Sequence, residues 1–238
     1  MLTLAALVKS FRHSDVARLL RSLEAAGLPL PAPLRPALRA RPVAVLALAA
    51  RRAAELAYGP RPELHDLADA LLAHQRPDGG FDSRVDARVD ADASPVHHAP
   101  VEADPLTTAA AVVALDRLAD SLPAVHTGPL ETAADRAADA LRRIAPRLFD
   151  AVRDARATAA ATPVAALLAF LLSESPRRAG LLTPEQVRGL EAACTHAADP
   201  ALTQLWQMAR LGLPNDADPT PESCFSSNPV DRLPAAPP

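Results

Sequence analysis

Three segments of this chain, 42–50, 109–115 and 163–172, are apolar around the whole circumference of a helix, and a fourth, 201–211, is mixed. Each is preceded by a segment with a single apolar stripe at helical spacing. The stripes are Val16, Leu19, Leu20 and Leu23; Leu64, Leu67, Ala68, Leu71 and Leu72; Leu130, Ala134, Ala137, Leu141, Ile144 and Leu148; and Val187, Leu190 and Cys194. A striped helix keeps one face in water, whereas a helix apolar on every side is enclosed by protein. Striped then enclosed, four times over, predicts two layers of helices. The fold class expected is all-α: an α/α toroid or partial toroid of about four helical hairpins, with amphipathic outer and apolar inner helices, spanning residues 1–213.

The enclosed segments share a start signal. Arg41-Pro42, Asp104-Pro105, Thr162-Pro163 and Asp199-Pro200 each put proline where a first helical turn has no use for its N–H. Asp104, Thr162 and Asp199 are also N-cap residue types. The four starts are unevenly spaced, unlike the repeats of a regular solenoid, and this points to inserted loops. One such loop is the acidic stretch 82–103, longer than compact domains ordinarily use. The final segment, 214–238, is rich in Pro, Ser and Asp and is expected to be a disordered tail.

Composition narrows the function. The chain has 49% hydrophobic but only 3% aromatic residues, so its core is built from small and aliphatic side chains. Lys9 is the one lysine, and 25 basic against 28 acidic residues give a net charge of −3, which calls for neither a nucleic-acid nor an anionic-membrane partner. Two cysteines, Cys194 and Cys224, are too few for a disulfide framework, so a reducing cytoplasm is the expected setting. The apolar N-terminus lacks the basic start of an export signal. The longest uncharged run, 157–173, falls short of the ~20 residues of a spanning helix and contains Pro163. No membrane span is expected.

The most specific local motif is Gln75-Arg76-Pro77-Asp78-Gly79-Gly80-Phe81, followed after the loop by Asp104-Pro105-Leu106-Thr107-Thr108. Two glycines allow a sharp exit from a helix ending at Gln75, and Phe81 can then fold against the bundle. Over 67–118 this resembles the Q-x-x-D-G-G-[FW] repeat of terpenoid cyclases and protein prenyltransferase β subunits, the QW-type repeat that joins an outer to an inner helix of their α/α toroid. The resemblance implies that Gln75 bonds backbone of a neighbouring helix, that Phe81 packs over the turn, that Asp78 forms the turn, and that Gly79 and Gly80 are conformational necessities. There is one clear copy.

The chemistry of that group is not carried over with the joint. Its cyclases use a D-x-D-D acid, whereas Asp90-Ala91-Asp92-Ala93 lacks the last aspartate. Carbocation chemistry also needs aromatic faces, and the inner segments offer chiefly Phe170 and Trp206, with Tyr58 near one end. The prenyltransferases hold zinc through Asp, Cys and His, but Cys194-x-His196 cannot present both side chains on one helix face. His97 and His98, near Asp90, Asp92, Glu102 and Asp104, are the remaining cluster of ligand types; a pair of adjacent loop histidines reads first as exposed bystanders. Asp104 reads first as an N-cap. No phosphate-cradling loop, dinucleotide fingerprint or nucleophile elbow is present, and no cofactor or metal is called for.

The sequence therefore reads as a binding or scaffold protein using an apolar inner surface for a protein partner, a second copy of itself or an apolar small molecule. His97, His98, Asp104, Phe170 and Trp206 are its candidate binding residues. The alternative is a prenyltransferase- or cyclase-like enzyme acting on an isoprenoid.

Overall fold

The structure, a computed structural model, describes residues 16–27, 34–57, 62–83, 103–154, 158–197 and 199–213. The expectations for most of the acidic loop and for the 214–238 tail lie outside these residues. Within them the chain is all-α. Nine helices run in order: α1 (Val16–Ala25), α2 (Leu34–Arg39), α3 (Pro42–Leu56), α4 (Pro62–Ala73), α5 (Pro105–Ser121), α6 (Ala124–Arg153), α7 (Thr158–Ser173), α8 (Pro184–His196) and α9 (Pro200–Gly212). A single 3₁₀ turn, Ala179–Leu181, lies between α7 and α8. None of the described helices is long and apolar enough to cross a membrane.

Helix starts follow the local chemistry. Asp104 caps α5 by accepting from the Thr107 N–H at 2.8 Å, and Asp199 caps α9 by accepting from Ala201 and Leu202. Thr183 and Gln186 form a reciprocal capping box at α8. Arg41 precedes Pro42 but makes no cap; its Nε reaches the Asp104 carboxylate instead, at 3.0 Å from both oxygens. The expected start at Thr162-Pro163 is corrected. Helix α7 begins at Thr158, and Pro163 sits inside it. The alanine-rich run before the proline carries enough helical preference to extend the helix backwards, at the cost of the one hydrogen bond that proline cannot donate. Proline is likewise absorbed at Pro129 and Pro146, so α6 is one continuous helix of 30 residues.

The packing is two-layered. Helices α3, α5, α7 and α9 each touch the next in that series, as do α4, α6 and α8 in theirs, and sequence neighbours from α3 to α9 pack across the two rows. Helix α1 packs on α3, while the short α2, which no periodicity announced, touches both α3 and α7. The expected segments 42–50 and 109–115 are buried at every residue, and 163–172 at all but the half-buried Pro163. The stripes of α1 and α8 are buried as expected. On α6 the apolar face is broader than its large residues suggested; Ile144 and Leu148 are half-buried, while Ala133, Ala138, Ala140, Ala145 and Phe149 are inside. Apart from Ala138 and Ala140, the buried apolar side chains of these helices form one contiguous cluster from Val16 to Leu213. Among the described residues, the large apolar side chains left in water are Leu56, Val125 and Leu211.

Candidate functional site

Three arrangements outside the plain apolar core carry polar or concave character. The first is the joint after α4. Gln75 and Phe81 form an isolated antiparallel bridge, with the Arg76 N–H donating to the Gly80 carbonyl and the Gly80 N–H to Asp78 Oδ1. Gln75 Nε2 donates both to Gly79 O within the turn and to Ala133 O on α6. Arg136 and Arg143, also from α6, donate to the carbonyls of Pro77 and Asp78. Phe81 is fully buried; its N–H donates to Thr108 Oγ1 and its carbonyl accepts from the Asp104 N–H. A Cβ at Gly79 would lie 2.5 Å from the Arg136 carbonyl oxygen, and one at Gly80 would overlap the Cβ of Ala103. The turn is thus pressed between α6 and the start of α5.

Asp104 belongs to the same joint. Its carboxylate takes the Thr107 N–H and hydroxyl and the Arg41 guanidinium together. Those bonds use the oxygen lone pairs that an acid or ligand role would need.

The second arrangement is a buried charge network at the C-terminal ends of α3, α5 and α7. Asp116 accepts from Arg178 Nε and Nη2 at 2.9 and 2.8 Å and from the Ser175 hydroxyl, and Arg178 also reaches Asp135 on α6. The bonds from Asp116 and Asp135 more than offset burial and hold Arg178 still further above the usual guanidinium range. Arg51 pairs with Glu55 and Glu174. Burial alone would raise the Glu55 carboxyl; Arg51 and Arg52 outweigh it and keep that group below its ordinary value. Every charge in this network has an opposite partner, which is how charges persist in an interior. Its chemistry is that of a clamp.

The third is a pocket of about 790 Å³ where the end of α6, the start of α7, the second half of α8 and the start of α9 meet. Val152, Thr162 and Leu202 are buried at its base, and Ala159, Pro163, Gly189, Ala192, Ala193 and Ala197 are in its walls. Its size falls in the range of small-molecule sites, and its lining is mainly apolar, as such sites are. The polar groups are largely committed. The Thr162 hydroxyl donates to Thr158 O, the Thr158 hydroxyl lies between Val152 O and Asp154 O, and Asp199 caps α9. His196 Nδ1 is 2.6 Å from Ala192 O, so in the neutral ring this nitrogen carries the proton and Nε2 is left as the acceptor. Cys194, behind this wall, is fully buried and free, and burial pushes its thiol up to about 12, which keeps it from acting as a nucleophile.

Phe170 and Trp206 are buried in the core, Asp104 is in the joint, and His97, His98, Asp90, Asp92 and Tyr58 lie outside the described residues. Among the described residues no group of three or more His, Cys, Asp or Glu stands where it can hold a metal ion. Sequence reasoning did not find the pocket. Its signal was the run of small residues at Gly189, Ala192, Ala193 and Ala197, spaced to share one face of α8 and its end. The Asp116 clamp also went unread, although one acid in an otherwise apolar stretch was its mark.

No family model, curated protein or solved structure matches the chain.

Proposed function

We propose that this chain is a non-catalytic helical scaffold that binds an apolar small molecule in the pocket between α6, α7, α8 and α9. The observation that carries the reading is the pocket itself: a concavity of about 790 Å³ with an apolar base, whose hydroxyls and carboxylate are already spent on helix ends. A site built for reaction keeps a nucleophile, an acid or a base with free valences facing the substrate. Here the free surface is chiefly methyl and methylene, with the His196 Nε2 acceptor and the Arg153 guanidinium as its available polar groups and, among the described residues, no nucleophile beside them. The inner helices, first expected to offer the apolar surface, pack on one another, on α2 and on the outer row, which supports an opening at the edge of the bundle.

Kinship with the terpenoid cyclase and prenyltransferase toroids is part of the proposal. It is supported by the joint, in which Gln75 reaches the backbone of a neighbouring helix and Phe81 is buried beneath the turn. A cytoplasmic setting is supported by the low cysteine count and the free thiol of Cys194.

The test is titration with a neutral solvatochromic dye, followed by fluorescence. Saturable binding by the wild-type chain is expected, and Ala192→Trp, on an exposed wall of the pocket, should abolish it while Thr195→Trp on the same helix should not. Equal binding by all three proteins would reject the site.

A further inference from the structure

The charges around the pocket indicate the class of ligand, an inference that rests on the proposed binding role. Among the described residues Asp199 is the one carboxylate in the lining, and its charge is partly offset by the N–H groups of Ala201 and Leu202 at the positive end of α9. Arg153 is, among the described residues, the one permanent cation there. Its Nη2 donates to Glu185 Oε1 at 2.9 Å, the one acceptor bonded to it among the described residues. Both partners of that pair stand in water, with 45% and 71% of their side chains exposed, so the pair is weak and readily exchanged. The guanidinium lies over Gly189: a Cβ at that position would sit 3.6 Å from Arg153 Nε. Arg153 is thereby held at the rim, with donors to spare beside an apolar base.

A guanidinium at the mouth of an apolar pocket, already holding an exposed carboxylate, matches an amphiphile with a carboxylate head and a hydrocarbon body. We infer that the pocket takes an apolar monocarboxylate, with the head on Arg153 in place of Glu185 and the chain over Val152 and Leu202. Glu185 is then an internal competitor for the same donors. In the neutral ring His196 is not the anchor, because its Nδ1 proton is committed to Ala192 O and its Nε2 is an acceptor.

Calorimetric titration with decanoate and with decanol separates this inference from the reading beneath it. The wild-type chain should bind decanoate about three- to tenfold more tightly than decanol, the modest margin of a partly exposed charged hydrogen bond, and the margin should narrow at high salt. Arg153→Gln should bring decanoate down to the level of decanol and leave decanol unchanged. Glu185→Gln should tighten decanoate alone, an effect that a merely structural Arg153–Glu185 pair would not produce. Equal binding of acid and alcohol by the wild type would overturn the carboxylate assignment and leave an apolar site standing. If neither ligand bound, both would fall.

Discussion

The side-chain amide of Gln75 donates to the carbonyl of Ala133, 58 positions further along the chain, at 2.8 Å, and to Gly79 in its own turn at 3.0 Å. One side chain thus fastens the end of α4 to the middle of α6. Ala133 O already serves the helix, so the amide uses its second lone pair, and neither bond has a backbone substitute. Gln75→Ala should cost about 1–3 kcal/mol, the range for two such bonds in a half-buried setting. Gln75→Glu should cost more, since it sets a carboxylate against two carbonyl oxygens. Urea denaturation reads both, and a Gln75→Ala protein as stable as the wild type would show the tie to be idle.

Two glycines share a left-handed backbone but differ in surroundings. Gly27 has φ 84° and Gly79 φ 87°; among the described residues a Cβ at Gly27 meets only the tip of Arg52 at 3.8 Å, whereas at Gly79 it runs into the Arg136 carbonyl. Gly27→Ala should lose about 1 kcal/mol from conformation alone, and Gly79→Ala clearly more. Equal losses would mean that α6 yields freely at the joint.

Asp116 and Arg178 form a buried pair, with side chains 5% and 11% exposed. Asp116→Ala leaves the guanidinium only its bond to the exposed Asp135 and should destabilise by up to about 3–5 kcal/mol. Adding Arg178→Met should restore part of that loss. Because Arg178 is held above the usual guanidinium range, the effect should not change between roughly pH 5 and 9. A double variant no better than Asp116→Ala would contradict the assignment.

Glu55 provides the pH test. Its folded carboxyl lies below the ordinary value, so it contributes stability that is complete above the unfolded value, about 4.3, and is lost as pH falls through the folded value. Denaturation followed from about pH 6 to about pH 3 should therefore show a steeper loss for the wild type than for Glu55→Gln. Parallel curves would remove Glu55 from the acid response.

The layered arrangement was legible because its signals are local. A proline at a first turn, an aspartate before it and a stripe at helical spacing act within one helix, and Pro42, Pro105 and Pro200 all open helices as expected. Pro163 misled because its helical preference was judged without the alanines before it, and α2 was missed because six residues with a proline in the middle carry little periodicity. The joint was readable as a turn and, through its resemblance, as a tie. That Gln75 meets Ala133 in particular depends on how α6 packs. The pocket was the least legible feature, since it arises where four helix ends fail to fill space, and no single segment encodes that. Phe170 and Trp206 were marked as candidate binding residues for their aromatic chemistry, and both are buried in the core.

The most direct test of the binding role is methyl NMR of the wild-type chain titrated with decanol, a neutral ligand that needs only the apolar site. The account predicts saturable shifts confined to Val152, Leu202, Ala159, Ala192 and Ala193, around the pocket base and walls. Shifts centred instead on the exposed Leu56 and Leu211, or no saturable shifts at all, would contradict it.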